Sequence, residues 1–297
     1  MTSIFARGTR RLFQSAVLCS AALFTLGAGA QSNPYEKGPD PTKSSLEASR
    51  GPFAVGSYNI IGASGFGGGT VHYPTTQGSY GLIAVAPPYL AQSSSIGWLG
   101  PRLASHGFVV VLVDVNSTLD FPESRSRQQL AAITYALRQN TTSSSRVYGK
   151  IDPTRIGLSG HSMGGGATIL TARNSPNNIK AAFPLTPWSS DKNFSRLNVP
   201  TGYLACQNDN VAANSSHSSR FYNSMSSSVP KAYYELRGES HFCPQSASNN
   251  PIIGKYSVAW FKRFVDNDER YSQFLSGSLA NADRSSGKFS DLRTSGL

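Results

Sequence analysis

One short stretch decides how this chain folds: Gly160-His161-Ser162-Met163-Gly164. It lies between an apolar run over residues 155–159 and a helix-compatible stretch that starts at Gly165. This arrangement predicts a nucleophile elbow, in which a serine sits on a sharp turn between a strand and a helix and the flanking glycines avoid collisions of Cβ atoms. Backbone N–H groups at the helix start can then stabilise an oxyanion. A bare G-x-S-x-G motif is weak evidence in a chain with 28 glycines, so an ordinary Gly/Ser turn is the alternative.

The pattern around this stretch predicts an α/β fold. Eight short apolar or alternating runs predict strands, at residues 53–61, 70–73, 81–86, 108–113, 155–159, 181–185, 202–206 and 231–236. From the third run onward, five segments predict helices, at residues 98–105, 125–138, 164–173, 216–227 and 253–265. Hairpin-like strands followed by βαβ alternation predict a mostly parallel central sheet with an antiparallel start and helices on both faces.

The first thirty residues predict an export signal. Three arginines precede an apolar stretch over residues 16–26, and Ala28-Gly29-Ala30 matches the small-x-small pattern of a signal-peptidase site. We therefore expect a signal peptide over residues 1–30, a mature chain that starts near Gln31, and secretion. A membrane anchor is the alternative, but the apolar stretch is shorter than the roughly 20 residues that span a bilayer. Residues 31–297 are expected to form a single catalytic domain.

The charge of the chain bears on its partners. There are 27 Lys and Arg against 16 Asp and Glu, which gives a formal net charge of +11. The basic residues are scattered singly instead of clustering beside aromatic residues, so no nucleic-acid partner is expected. The excess charge is explained by solubility, with attraction to anionic surfaces, or to esters that release carboxylates, as the alternatives.

An activated serine predicts two partners further along the chain. A serine hydroxyl is a weak nucleophile unless a base takes its proton, and the base needs a carboxylate that fixes its tautomer. In the α/β-hydrolase arrangement the acid and then the histidine follow late strands. Asp209 follows the run over residues 202–206 and His241 follows the run over residues 231–236, so with Ser162 they form the predicted triad. An Asp in an Asn-rich turn is otherwise a common turn-former, and a loop histidine is often simply solvated.

The predicted oxyanion hole has two backbone donors. One is the amide of Met163, directly after the nucleophile. The other belongs to the loop after residues 81–86, where Pro87 and Pro88 carry no N–H, so Tyr89 is the first residue that can donate. For the side chains of Met163 and Tyr89, a core position is the alternative.

Two cysteines, Cys206 and Cys243, remain once the leader is removed. An even pair in an exported chain predicts a disulfide. The bond would join the loop that carries Asp209 to the loop that carries His241. Two lone cysteines without nearby Cys or His ligands make a poor zinc site, so neither a metal ion nor another cofactor is expected.

With these residues placed, the chain closely resembles the bacterial cutinase and polyester hydrolase family, which includes poly(ethylene terephthalate) hydrolases. Its most specific segments are residues 100–108, 116–120, 160–166, 187–188 and 260–264. The resemblance implies an α/β-hydrolase fold with no lid, and a shallow, exposed cleft that accepts polymer chains. By position it assigns the same residues to the triad and the oxyanion hole.

The resemblance also implies residues that contact the substrate. It makes Trp188 an aromatic clamp on the acyl ring. Apart from the resemblance, a tryptophan in a loop beside Pro187 offers a flat apolar face to a planar diacid. A position in the core is the alternative. His161 and Phe242 flank the nucleophile and the base and look like the pair common among cutinases of this family. The predicted substrate-binding residues are Tyr89, His161, Trp188, Val211 and Phe242.

The chain departs from the family pattern at two places. Pro88 stands where relatives usually carry glycine before the oxyanion-hole tyrosine, which predicts an altered loop. Relatives also close the C-terminus with a disulfide, whereas residues 275–297 contain no cysteine. We therefore expect a mobile tail and lower thermal stability than that of a fully bridged relative. Cys206 and Cys243, in contrast, match the extra active-site disulfide of the mesophilic poly(ethylene terephthalate) hydrolase.

These observations predict a secreted, monomeric serine esterase that cleaves carboxylic esters through an acyl-Ser162 intermediate. Its expected substrates are cutin-like and aliphatic polyesters, aromatic polyesters, or small esters. Alternatives within the same chemistry are a triacylglycerol lipase and a general short-chain carboxylesterase. From a different class, an inactive polymer-binding protein is the alternative, and the intact triad argues against it.

Overall fold

One mixed sheet runs through the part of the chain that the structure, a computed structural model, describes: residues 1–3, 33–174 and 178–297. Its nine strands in these residues are β1 (Val55–Ile60), β2 (Gly68–Pro74), β3 (Tyr80–Ala86), β4 (Phe108–Asp114), β5 (Ile151–His161), β6 (Ile179–Leu185), β7 (Thr201–Asn208), β8 (Lys231–Ser240) and β9 (Phe289–Ser295). They lie in the order β1-β2-β4-β3-β5-β6-β7-β8-β9. The pairs from β4 to β8 are parallel, whereas β1, β2 and β9 pair antiparallel.

Helices cover both faces of this sheet. In the described residues they are α1 (Lys43–Glu47), α2 (Leu99–Ala104), α3 (Pro122–Thr141), α4 (Met163–Asn174), α5 (Ser218–Ser224), α6 (Asn250–Phe264), α7 (Ser272–Leu275) and α8 (Ser278–Ser285). Side chains of α1, α2 and α6 share one hydrophobic core, and those of α3, α4 and α5 share the other. Strand β3 is buried along its whole length, as its apolar run predicts for a strand covered on both faces.

The predicted fold class is confirmed. All eight predicted strands and all five predicted helices are present, with ends that differ by up to four residues. The predicted signal peptide, residues 1–30, lies outside the described residues apart from the first three. The contacts divide the chain into two units, residues 1–32 and 33–297, and the second unit holds the sheet and the helices. Within the described residues, no helix has the length and apolar character needed to cross a bilayer.

The prediction of a mobile C-terminal tail was wrong. Strand β9 pairs antiparallel with β8, from Ser295 opposite Lys231 to Phe289 opposite Leu236. Phe289 and Leu292 turn into the core. Helix α8 is held by Asp283, which forms ion pairs with Lys43 and Lys255. Sheet pairing and the ion pairs of Asp283, of which the one with Lys255 is buried, therefore fix this end of the chain where a disulfide is absent.

Candidate active site

The predicted elbow is a strained turn at a single residue. Strand β5 ends at His161 and α4 begins at Met163, so Ser162 alone joins them. Its φ is +55°, a left-handed conformation that non-glycine residues rarely adopt unless surrounding contacts impose it. The Ser162 carbonyl accepts hydrogen bonds from the amides of Gly166 and Trp188, at 2.9 and 2.8 Å. These bonds hold the serine on the turn and place Trp188 beside it.

Close packing explains the two glycines of the motif. A Cβ atom on Gly164 would collide with the carbonyl oxygens of Ala86 and Pro87, and one on Gly160 would collide with the Gly164 carbonyl. The prediction that these glycines avoid collisions is confirmed. The same contacts show that the end of β3 lies against the elbow, which brings the loop after β3 to the nucleophile.

The three predicted triad side chains lie in one chain of hydrogen bonds. His241 Nε2 is 2.8 Å from Ser162 Oγ, and His241 Nδ1 is 2.8 Å from Asp209 Oδ2. All three residues are buried, with at most 5% of each exposed. Asp209 follows β7 and His241 follows β8, at the carboxyl ends of neighbouring parallel strands. In this geometry Nδ1–H donates to the carboxylate and Nε2 accepts the serine proton.

The surroundings of Asp209 favour its charged form. Burial alone would raise the pKa of this carboxyl group. The hydrogen bond from His241 and those from the amides of Ala212 and Val211 outweigh burial, so the pKa lies below its usual value. The amides bind Oδ1 at 2.7 and 3.0 Å and leave Oδ2 for the histidine. An ionised Asp209 stabilises the positive charge that His241 acquires when it takes a proton.

The structure corrects the prediction for His161. This side chain is completely buried and cannot contact a substrate from its position. Its Nε2 donates to the carbonyl of His241 at 3.0 Å, and its Nδ1 is 3.4 Å from Gln245 Nε2. Burial, with the nearby His241, lowers the pKa of His161 to about 3, so the ring is neutral near pH 7. His161 therefore supports the loop of the predicted base from behind.

The two predicted oxyanion donors are free to bind a ligand. Met163 is the first residue of α4, where an amide has no acceptor within its own helix. In the part of the chain that the structure describes, the Tyr89 amide has no hydrogen-bond acceptor. The backbone at Ala86 and Pro87, directly before the loop of Tyr89, packs against Gly164 next to Met163. The roles of the Met163 and Tyr89 amides as oxyanion donors remain predictions.

An aromatic surface lies beside the serine. Trp188 is half-buried and stacks on His217, with ring centroids 5.8 Å apart. Phe121 lies 6.2 Å from Trp188 and 6.3 Å from Tyr89, so it connects the two predicted aromatic contacts. It is 55% exposed, and Tyr89 is 38% exposed. Sequence reasoning missed Phe121 and His217. For Phe121 the available signal was an aromatic residue just before the proline that starts a helix.

The remaining predicted substrate contacts lie around the base. Phe242 is 56% exposed and its ring meets the His241 ring edge-on, with centroids 5.5 Å apart. Val211 is 53% exposed and follows Asp209 in the acid loop. Both side chains are open to solvent beside the triad, which is where a bound polymer would lie. Their contact with a substrate remains a prediction.

A disulfide links the two loops of the triad. Cys206 and Cys243 are bonded, 37 positions apart in the chain. Cys206 lies three residues before Asp209, and Cys243 lies two residues after His241. The bond thus restrains both ends of the His241–Asp209 contact. Across residues 1–3, 33–174 and 178–297, no group of three or more His, Cys, Asp or Glu side chains is placed to hold a metal ion.

Comparisons with known proteins find a matching family and several similar enzymes. The family described as PETase, PET hydrolase-like, matches residues 29–295. The chain is 51% identical to Cutinase 1 of Thermobifida cellulosilytica, over 82% of this chain and 91% of the relative. It is 52% identical to Cutinase est1 of Thermobifida alba, over 82% and 81% of the two chains. It is also 47% identical to a bis(hydroxyethyl) terephthalate hydrolase of Streptomyces coelicolor, over 91% and 87%.

Proposed function

The chain belongs to the PET hydrolase-like family, and on that premise we propose that it is a secreted polyester hydrolase that acts through an acyl-Ser162 intermediate. It is a carboxylic ester hydrolase, as its cutinase and bis(hydroxyethyl) terephthalate hydrolase relatives are. The observation that carries the proposal is the hydrogen-bonded chain from Ser162 through His241 to Asp209, with an exposed aromatic surface beside it.

The geometry supports a two-stage reaction. His241 takes the proton of Ser162 as Oγ attacks the ester carbonyl, and the resulting oxyanion accepts hydrogen bonds from the amides of Met163 and Tyr89. His241 then gives the proton to the departing alcohol oxygen, which leaves an acyl-serine. Water repeats the sequence, with His241 as the base again, and releases the carboxylic acid. Asp209 keeps His241 in the required tautomer throughout.

The surface around the serine supports a polymeric substrate. Tyr89, Phe121, Val211 and Phe242 all expose more than a third of their area near the triad. Flat apolar side chains stack on planar aromatic acids and also contact aliphatic chains. We therefore include aliphatic and aromatic polyesters among the substrates, together with small esters. Because these side chains around the triad are exposed, we do not expect the interfacial activation that lipases with lids show.

Location and organisation belong to the same proposal. The N-terminal sequence supports export and removal of residues 1–30. We propose that residues 31–297 act as one catalytic domain, as a monomer, and without a cofactor. Mass spectrometry of the secreted protein would locate its first residue, and light scattering would give its oligomeric state. A mature protein that retains the leader, or a stable dimer, would contradict this part of the proposal.

Product release from three substrates tests the activity. A short p-nitrophenyl ester, an aliphatic polyester film and amorphous poly(ethylene terephthalate) are offered to the wild-type protein and to Ser162→Ala. Soluble acids from both films, absent with the variant, are expected. Hydrolysis of the short ester alone would instead identify a general carboxylesterase. Full activity of Ser162→Ala would rule out the acyl-serine route.

A further inference from the structure

A fully buried arginine lies behind the site. Arg125, in the first turn of α3, has no exposed surface. Its described hydrogen-bond partners are three backbone carbonyl oxygens: Nε donates to Asp120 at 2.7 Å, Nη1 to Pro87 at 3.1 Å, and Nη2 to Thr118 at 2.8 Å. A guanidinium that is buried with carbonyl partners instead of a carboxylate is costly to desolvate. Such an arrangement calls for a specific role.

The three carbonyls belong to two loops that border the active site. Pro87 belongs to the loop after β3, which carries Tyr89. Thr118 and Asp120 belong to the loop between β4 and α3, which leads into Phe121. The planar guanidinium presents its N–H groups in a fixed fork, so it can bind both loops at once. Arg125 thereby couples the loop of the oxyanion donor to the loop of the aromatic surface.

Hydrogen bonds hold the loop on both sides of the Tyr89 amide. On one side, the Pro87 carbonyl is bound by Arg125. On the other side, the amide of Leu90 donates to the Thr118 carbonyl at 2.9 Å, and the same carbonyl accepts from Arg125. Leu90 has a φ of +62°, a strained conformation that needs support from its surroundings. Because Pro87 and Pro88 have no N–H to anchor the loop themselves, its support must come from outside.

From this arrangement we propose that Arg125 is a positioning residue, which aims the Tyr89 amide at the oxyanion of the tetrahedral intermediate. The inference rests on the proposed acyl-serine mechanism and adds to it the support of one oxyanion donor. The guanidinium binds the carbonyl oxygen of Pro87, an acceptor that proline keeps, and so anchors a loop whose two prolines have no N–H to donate.

Steady-state kinetics on a short p-nitrophenyl ester tests this role with two variants. Arg125→Gln removes the fork and the charge, and Arg125→Lys keeps the charge but cannot reach three carbonyls with the same geometry. We expect kcat of Arg125→Gln to fall by about 10- to 100-fold with KM within about threefold, because misplacing an oxyanion donor acts on the transition state. Arg125→Lys should lie between this variant and the wild type. The affinity of a trifluoromethyl ketone, whose serine adduct carries an oxyanion, should fall by the same factor as kcat.

A second buried arginine provides the matched control. Arg102 is 2% exposed and donates to the carbonyl of Leu46, away from the triad. Arg102→Gln should lower the melting temperature but leave kcat within about twofold of the wild type, measured well below the transition. If Arg125→Gln does not fold, the kcat of Arg125→Lys is compared with that of Arg102→Gln and of the wild type instead. Unchanged kcat in both Arg125 variants, or an equal loss in Arg102→Gln, would overturn the inference. A wild-type protein without esterase activity would instead overturn the proposed function.

Discussion

At the residue scale, Phe121 makes the aromatic surface continuous. Its ring centroid lies 6.3 Å from that of Tyr89 and 6.2 Å from that of Trp188, while more than half of its own area is exposed. Its ring lies between two predicted substrate contacts, so it extends the flat apolar surface that a bound acyl group can stack on. We infer that an aromatic acyl group gains a third ring contact here, whereas a short aliphatic acyl group does not reach it.

Substitution of Phe121 tests this inference. Because one aromatic contact is worth about 0.5–1.5 kcal/mol, Phe121→Ala should lower product release from poly(ethylene terephthalate) by roughly 2- to 10-fold. Its rate on a short aliphatic p-nitrophenyl ester should not change. Leu119→Ala is the matched control, since Leu119 is an equally exposed apolar residue of the same loop. An equal loss in both variants would show that general apolar area, and not the ring, is responsible.

Some residues of the site can be predicted from the sequence around them, and others cannot. Ser162, Asp209 and His241 follow strand ends in a fixed chain order, and a known reaction demands their residue types, so the sequence alone predicts them. Arg125 and Phe121 act through contacts between separate loops that no local pattern encodes. The prediction for His161 failed for the related reason that its neighbour in sequence, the nucleophile, faces the opposite way. His161 ends β5 with its side chain fully buried, whereas the Oγ of the next residue, Ser162, faces His241.

At the element scale, the Cys206–Cys243 bond joins the loops after β7 and β8. A cross-link that closes 37 positions contributes about 4 kcal/mol in the chain-entropy model. We expect Cys206→Ser/Cys243→Ser to lose up to that amount of unfolding free energy, measured by denaturant titration. The same variant should lose kcat at temperatures where it is still folded, because Asp209 and His241 are no longer held at 2.8 Å. Retained stability together with retained kcat would contradict both expectations.

Helix α8 is attached to the body by the carboxylate of Asp283. Burial would raise the pKa of this group, but hydrogen bonds from Lys255, Lys43 and Tyr256 and the charge of Lys255 lower it below its usual value. Lys255 is itself 1% exposed. Removal of the carboxylate in Asp283→Ala leaves a buried ammonium group with Glu47 as its remaining ionic partner. We expect a loss of about 3–5 kcal/mol of unfolding free energy, measured by urea denaturation. A loss below about 1 kcal/mol would show that the ion pairs of Asp283 contribute little to stability.

The elements missed by the sequence share a physical reason. Strand β9 reads Phe289-Ser-Asp-Leu-Arg-Thr-Ser295, a largely polar edge strand with two buried apolar positions. Its pairing is specified by the β8 edge rather than by its own pattern. Helices α1 and α8 are largely polar and bury one apolar residue each, Leu46 and Ala280, and α7 has only four residues, so no apolar period marks them. In contrast, β3 and β4 consist almost entirely of buried apolar residues, and their ends were predicted to within one residue.

At the scale of the whole molecule, buried neutral histidines make stability depend on pH. Burial, with the positive charges of Arg102 and Lys262, lowers the pKa of His106 to about 3. Burial also lowers that of His161 to about 3. In the unfolded chain both groups titrate near 6.5. Between pH 3 and 6.5 the unfolded state therefore binds more protons, so the free energy of unfolding falls as the pH falls. The full contribution is present above about pH 6.5.

The size of this effect can be isolated at His106, which lies away from the triad in the turn between α2 and β4. Each such histidine adds up to about 1.4 kcal/mol of unfolding free energy per pH unit within its window. His106→Gln removes one histidine that takes up a proton on unfolding. The unfolding free energy of this variant should therefore fall less steeply between pH 6 and 4, by up to about 1.4 kcal/mol per pH unit. Denaturant titrations at several pH values and constant ionic strength measure the difference, with Ser162→Ala as a control that keeps every histidine. The excess of basic over acidic residues adds a repulsive contribution at low pH that His106→Gln and Ser162→Ala share, so it largely cancels in the comparison. If the unfolding free energies of His106→Gln and Ser162→Ala depend on pH with the same slope, His106 becomes protonated within the folded state.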